Sequence, residues 1–170
     1  MRIGLLSDTH GYVDESLGNY LKGCDEIWHA GDFGNEGVID RLQEWAPLQG
    51  VYGNIDPAAV RKRVSETLVI EREGLRLLMR HILPRPNRYD AALIQEIKQH
   101  RADLVVCGHS HIALAERSAM AGVLHLNPGA AGRLGWHTMR TLMRFSIICG
   151  AIQDLELIEL DSRFKSSANR

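Results

Sequence analysis

The sequence has no surplus of either charge, no paired cysteines and no apolar run long enough to span a bilayer. Lys and Arg number 20 against 21 Asp and Glu, a formal net charge of −1. No global field therefore draws the chain onto nucleic acid or an anionic membrane, and a stable complex with either is not expected. A local groove for phosphates stays open. Cys24, Cys107 and Cys149 are odd in number, lie far apart and form no C-x-x-C pair. That sets aside a disulfide framework and a structural zinc site, and fits reduced thiols in the cytoplasm. The first acid falls at Asp8, too early for the apolar segment of a secretion signal. No later apolar run approaches the ~20 residues of a membrane span. A soluble cytoplasmic protein is expected. Repeats, low-complexity tracts and linkers are missing too, so the 170 residues read as one domain over 1–160 and a polar tail over 161–170.

Short apolar runs alternate with amphipathic stretches. Arg2–Ser7, Glu26–Ala30 and Leu48–Tyr52 read as strands. Helices are expected between them, one carrying Val13, Leu17, Tyr20 and Leu21 and one carrying Val38, Ile39, Leu42 and Trp45, with Asn35 as its N-cap. The order β-α-β-α-β favours parallel strands with helical cover. The second half is more antiparallel. Thr67–Glu71 and Leu75–His81 flank a glycine turn, Asn87–Arg101 has a helical face, and Leu104–Cys107 is an apolar strand. Further hairpins are expected from Ala113–Arg117 with Val123–Leu126 and from Phe145–Cys149 with Leu155–Leu160, the last finishing the second sheet. The expected fold is α/β: a four-layer α-β-β-α sandwich of two mixed sheets flanked by helices.

Chemistry-bearing residues fall at the strand ends. Asp8 and His10 follow the first strand, Asp32 the second, Asn54 and Asp56 the third. His81 follows the second strand of the first hairpin, and His109 and His111 follow Leu104–Cys107. The C-terminal edge of such sheets is where ligands bind. Asp8, Asp32, Asn54 and four histidines make seven candidate donors without a thiolate. Oxygen with imidazole suits Mn²⁺, Fe, Zn²⁺ or Ni²⁺ better than Ca²⁺ or Cu⁺. Seven groups exceed one coordination sphere and fit two, if one carboxylate bridges. Metal pairs ~3.5–4 Å apart are a recurrent solution for phosphate-ester hydrolysis.

Asp8-Thr-His10, Gly31-Asp32, Gly53-Asn54, His81 and Gly108-His109-Ser110-His111, in this order, resemble the calcineurin-like metallophosphoesterase superfamily. With the short chain and Asn127-Pro128-Gly129, the sequence is similar to the YfcE-like phosphodiesterase branch, whose fold the retromer subunit Vps29 shares. The resemblance implies two divalent cations, Mn²⁺ first, with Fe, Zn²⁺ or Ni²⁺ as alternatives. Asp8, His10, Asp32 and His111 would hold one, and Asp32, Asn54, His81 and His109 the other, with Asp32 bridging. A bridging hydroxide would attack a small phosphodiester in line with its leaving alcohol. Asp32, Asn54, Asp56 and His109 are then the residues expected to serve the reaction. A phosphomonoesterase or nucleotidase on the same centre is the alternative, and a Vps29-like scaffold a more distant one. Relatives often form homodimers.

The chain departs from the family pattern twice. Ile55 stands where many members carry a histidine that protonates the leaving group, so a weakly basic leaving group is expected. His81-Ile82-Leu83 replaces a His-Gly-His motif. Asp56 keeps the acidic position and is expected to orient His109 or hold a water beside it. Each motif alone has a plainer reading: a helix cap, a turn aspartate, a surface histidine. His29 and His125 read as buried histidines, His100 as a helix-end residue, and His137 as part of a loop covering a sheet end. Asn127-Pro128-Gly129 reads as a turn that shapes the site.

Overall fold

The computed structural model describes residues 1–162. In chain order the elements are β1 (Arg2–Leu6), α1 (Glu15–Leu21), β2 (Glu26–His29), α2 (Glu36–Gln43), β3 (Leu48–Gly50), α3 (Ala58–Arg61), β4 (Thr67–Arg72) and β5 (Leu75–Arg80). A 3₁₀ turn at Pro86–Arg88 leads into α4 (Ala91–His100), then β6 (Leu104–Val106), β7 (Ala113–Arg117), β8 (Leu124–Pro128), β9 (Met139–Ile148) and β10 (Ala151–Ser162). Two five-stranded sheets form, ordered β10-β9-β1-β2-β3 and β4-β5-β6-β8-β7. Both are mixed: β1, β2 and β3 are parallel, as are β5, β6 and β8, while the outer pairings are antiparallel.

Three buried clusters mark the three contacts between four layers. Ile3, Leu5 and Trp28 of the first sheet meet Leu77, Met79, Val106 and Leu126 of the second. Leu6 and Ile27 point the other way, onto Leu17, Leu21, Val38 and Leu42 of α1 and α2. Leu78 and Val105 turn outward onto Leu93 and Ile97 of α4. Successive strand residues face opposite sides, so a strand apolar at every position is buried on both. That is why these runs are continuous rather than alternating. Asp14, Asn35 and Asp90 start α1, α2 and α4, each accepting a hydrogen bond from the backbone N–H three residues on.

The last hairpin is corrected in place and length. β9 pairs with β1, so the hairpin completes the first sheet and makes it mixed. An alternating pattern announces a hairpin but carries no address for the edge it joins. The connection from β8 crosses between the sheets through Ala130 and Ala131, both fully buried, which small side chains permit. β10 runs through Ser162, so Asp161 and Ser162 belong to the sheet rather than to the tail; the remainder of the expected tail, 163–170, lies outside the described residues. Trp45 falls just beyond the end of α2, and the one-turn α3 has too few residues for a readable period.

Candidate metal centre

Five loops leave the strand ends and converge. Asp8 and His10 follow β1, Asp32 follows β2, Asn54 and Asp56 follow β3, His81 follows β5, and His109 and His111 follow β6. Asp8, His10 and His111 form one group whose donor atoms all lie within 4.8 Å of one another, and Asp32, His81 and His109 form a second. Asp8 joins them, because its Oδ2 accepts the backbone N–H of His109 at 3.0 Å. Asn54 is exposed and borders the hollow that also contains Asp32, His10, His109 and His111.

The local backbone is held in an unusual conformation. Asp8, His10, Asp32, His109 and His111 all have positive φ, between +49° and +65°. The left-handed region costs an L-residue roughly 1–2 kcal/mol, so five instances at one site mark stored strain of the kind found at functional sites. Gly108 shows how tightly the loops pack: a Cβ there would lie 2.8 Å from Asp8 Oδ2.

The bonding of each imidazole indicates which nitrogen faces the centre. His81 Nδ1 lies 2.7 Å from the carbonyl of Ala30, to which it donates. Its Nε2 then faces Asp32 Oδ2 at 3.3 Å. Burial disfavours the His81 cation, but the carboxylates of Asp32 and Asp8 outweigh it and raise the pKa. Burial likewise works against the Asp32 carboxylate, and the His81 imidazole beside it reverses this and lowers the pKa. In the other group His137 Nε2 lies 3.0 Å from the carbonyl of Gly132, and its Nδ1 lies 3.2 Å from His111 Nδ1. With its proton on Nε2 toward Gly132, His137 would accept from His111 Nδ1, and the lone pair of His111 Nε2 would then face Asp8 Oδ1, 3.2 Å away. His10 Nε2 lies 3.2 Å from the same His111 nitrogen, and burial lowers the His10 pKa despite Asp8 and Asp32.

Asp8 Oδ1 and His81 Nε2 are buried and have no hydrogen-bond partner among the described residues. A buried polar atom left so is costly, and a cation in each group would satisfy both. The donors fit divalent metal ions in chemistry and in arrangement.

Asp56 is corrected. Its two oxygens accept the backbone N–H groups of Gly34, at 2.7 Å, and Gly53, at 2.8 Å. It is buried, does not touch His109, and braces the loops that carry Asp32 and Asn54. The sequence shows the acid but not the two amide groups that converge on it. His137 lies in the loop read as covering a sheet end and also bonds to His111, a contact between residues 26 apart in sequence. A second hollow, of about 380 Å³, opens beside Asn54 and His81 and is bordered by Tyr52, Arg61 and Arg80. Arg61 donates to the carbonyls of Asp56 and Asn54, at 2.7 and 3.2 Å, and lies over the ring of Tyr52. Arg61 lies on α3, which at four residues is too short to leave a period in the sequence.

His29 and His125 are buried, as read. His29 Nδ1 accepts from Gly31 at 3.1 Å and its Nε2 donates to Thr9 Oγ1 at 3.0 Å, tying the loops after β1 and β2 together. Asn127 donates to the carbonyl of Gly108 at 2.7 Å and accepts from Gly129 at 2.9 Å, so this turn braces the His109–His111 loop. Burial pushes the Cys107 thiol up to about 12, in keeping with a core residue.

Two sheets between helices carry, at their strand ends, two acid-imidazole clusters each able to hold a metal ion. Residues 1–148 match the calcineurin-like phosphoesterase superfamily domain, and the chain belongs to that family. It is 30% identical over 135 residues to a probable metallophosphoesterase of Mycoplasma pneumoniae, covering 76% of this chain and 78% of the relative. A probable metallophosphoesterase of Methanocaldococcus jannaschii is 26% identical over 138 residues, covering 76% and 68%. Among solved structures, an archaeal phosphodiesterase superposes with a TM-score of 0.74 at 22% identity, covering 94% of this chain and all of that one. Vps29 of Entamoeba histolytica, in a single mutant, superposes with a TM-score of 0.73 at 17% identity, covering 95% of this chain and all of that one. These last two likenesses concern the fold. The family is metal-dependent and hydrolyses phosphate esters. No helix among the described residues is long and apolar enough to cross a membrane.

Proposed function

We propose that the protein is a cytoplasmic phosphodiesterase that uses two divalent cations, Mn²⁺ first, with Fe, Zn²⁺ or Ni²⁺ able to serve. Asp8, His10 and His111 would hold one, and Asn54, His81 and His109 the other, with Asp32 shared between them. The observation that carries this reading is the facing of Asp8 Oδ1 and His81 Nε2, buried and unsatisfied, into two clusters of donors. When bound, such a pair supplies Lewis acidity toward phosphate oxygens and lowers the pKa of coordinated water toward neutrality. The residues supply geometry. Ala30 and His137 set the imidazole tautomers, and Asp56 and Asn127 hold the loops.

A diester carries two organic arms, and two hollows meet at Asn54: one of about 380 Å³ beside His81 and one of about 280 Å³ beside His10 and His111. This arrangement supports a diester with one arm on each side. The monoester reading draws support from Arg61, whose guanidinium has no carboxylate partner among the described residues and could face a dianionic phosphate. Ile55 transfers no proton, which favours weakly basic leaving groups in either case.

Purified protein with added Mn²⁺ should hydrolyse bis(4-nitrophenyl) phosphate faster than 4-nitrophenyl phosphate. The reverse order would select the monoesterase, and no turnover with any divalent metal would leave a Vps29-like scaffold. Elemental analysis should find both metals lost in Asp32→Ala and the second one weakened in Asn54→Ala. Unchanged stoichiometry in both variants would refute the assignment.

A further inference from the structure

The hollow beside His10 and His111 is polar at its floor and apolar at its walls. Asp32, His109 and His111 border it below, and Ile55, Leu134 and Trp136 stand around it. Trp136 is 99% exposed, Leu134 63% and Ile55 47%. A tryptophan left wholly in water forgoes the largest apolar burial of any side chain. Exposed apolar groups that adjoin a polar site mark a binding surface more than chance placement.

The loop that presents Trp136 is tied down on both sides of it. Arg133 donates to Asp161 Oδ2 at 2.6 Å and to the carbonyl of Ser162 at 2.9 Å. His137 is bonded to His111 and to Gly132. Gly135 has a φ of +127°, and a Cβ there would overlap the imidazole of His111, so this glycine lets the loop lie directly on a proposed metal ligand. The neighbours of Trp136 are therefore fastened while its indole has no cover from the described residues. Ile55 faces it from the loop that carries Asn54.

We propose that this mouth recognises an aromatic ring on the phosphate ester, with the ring against Trp136 and the phosphate over Asp32, His109 and His111. The hollow, at about 280 Å³, has room for one ring system. Indole faces stack on any flat π-system, and the side chains exposed beside Trp136 in this lining, Ile55 and Leu134, are apolar. The substrate class is thus an aryl or heteroaryl phosphoester. This inference rests on the phosphoesterase reading above and adds to it the nature of one arm.

Phenylphosphonate and methylphosphonate carry the same anion and differ in the ring, so they separate this claim from the function itself. With the Mn²⁺-loaded protein and bis(4-nitrophenyl) phosphate as substrate, phenylphosphonate should inhibit about tenfold more tightly than methylphosphonate. Trp136→Ala should remove that difference and raise KM, with metal content unchanged, and Trp136→Phe should restore most of it. Equal inhibition by the two phosphonates with turnover intact would overturn the inference alone. So would a Trp136→Ala protein whose kinetics match the wild type but whose mass by light scattering has halved, since the indole would then belong to a dimer contact. Absence of turnover under every metal would sink the inference together with the function.

Discussion

His137 illustrates how much one proton's position matters. With the His137 proton on Nε2 toward Gly132, its Nδ1 would accept from His111, and a lone pair of His111 would be directed at Asp8. Partners of this kind, behind a metal ligand, are worth about 10–100-fold in metal affinity. His137→Phe should weaken the first cation by about tenfold or more in a chelator competition and leave the second unchanged; equal affinity at both sites would reject this role. Asp56 presents the complementary case. Asp56→Asn removes an acceptor from Gly34 or Gly53, and a buried N–H without a partner costs about 1–3 kcal/mol. Urea midpoints should fall accordingly while kcat changes only severalfold. A hundredfold loss of kcat at unchanged stability would return Asp56 to the catalytic set.

Strands and helices contribute mainly by aiming their ends. β1, β2, β3, β5 and β6 deliver their loops to one edge, and the connection from β8 to β9 lays a further loop over it. Arg140 fastens this assembly. It is fully buried on β9, and donates to Asp14 at the start of α1, to Asp161 on β10 and to the carbonyl of Ala131 at 2.7 Å. Asp14 and Asp161 are partly solvated, so removing the arginine strands no fully buried charge. Arg140→Met should therefore cost about 2 kcal/mol, below the usual loss for a wholly buried pair. Denaturant titration measures this. A change under ~0.5 kcal/mol, the usual size for an ordinary surface substitution, would mean that the clamp contributes nothing.

The folded chain as a single cooperative unit should be sensitive to acid, and the sign follows from two groups. Burial pushes His125 down to about 4 from the 6.5 usual for an imidazole, and it is held neutral between Tyr89 and Cys107. The unfolded chain binds a proton there first, so stability is full above about 6.5 and declines as pH falls toward 4. The shift corresponds to an order of 3 kcal/mol. Burial opposes the charged form of Asp14 too, but Arg140 prevails and holds its carboxyl well below the usual range. That contribution is present above about 3.8 and is lost on further acidification. Chelated protein should show a falling urea midpoint between pH 6.5 and 4, and His125→Gln should flatten it. An identical slope in the variant would assign the loss to other groups.

Much of the architecture was legible from the chain. Continuous apolar runs announced strands buried on both faces, and Asn35 marked the start of α2, because local patterning reports burial and caps directly. Acids and histidines at strand exits likewise pointed to one edge of the sheets. Other features depended on which distant segments meet. No local signal told β9 to pair with β1, placed Arg61 beside Asn54, set His137 against His111 or turned Asp56 toward two backbone N–H groups. Each of these is a contact between residues far apart in sequence or between a side chain and the main chain of a loop. Sequence by itself determined most of the strands and helices and the acids and histidines at their ends, since those follow from side-chain chemistry and short-range spacing. Only the tertiary structure decided the tautomers, the braces and the walls of the site, since those depend on distances that exist only after the layers close.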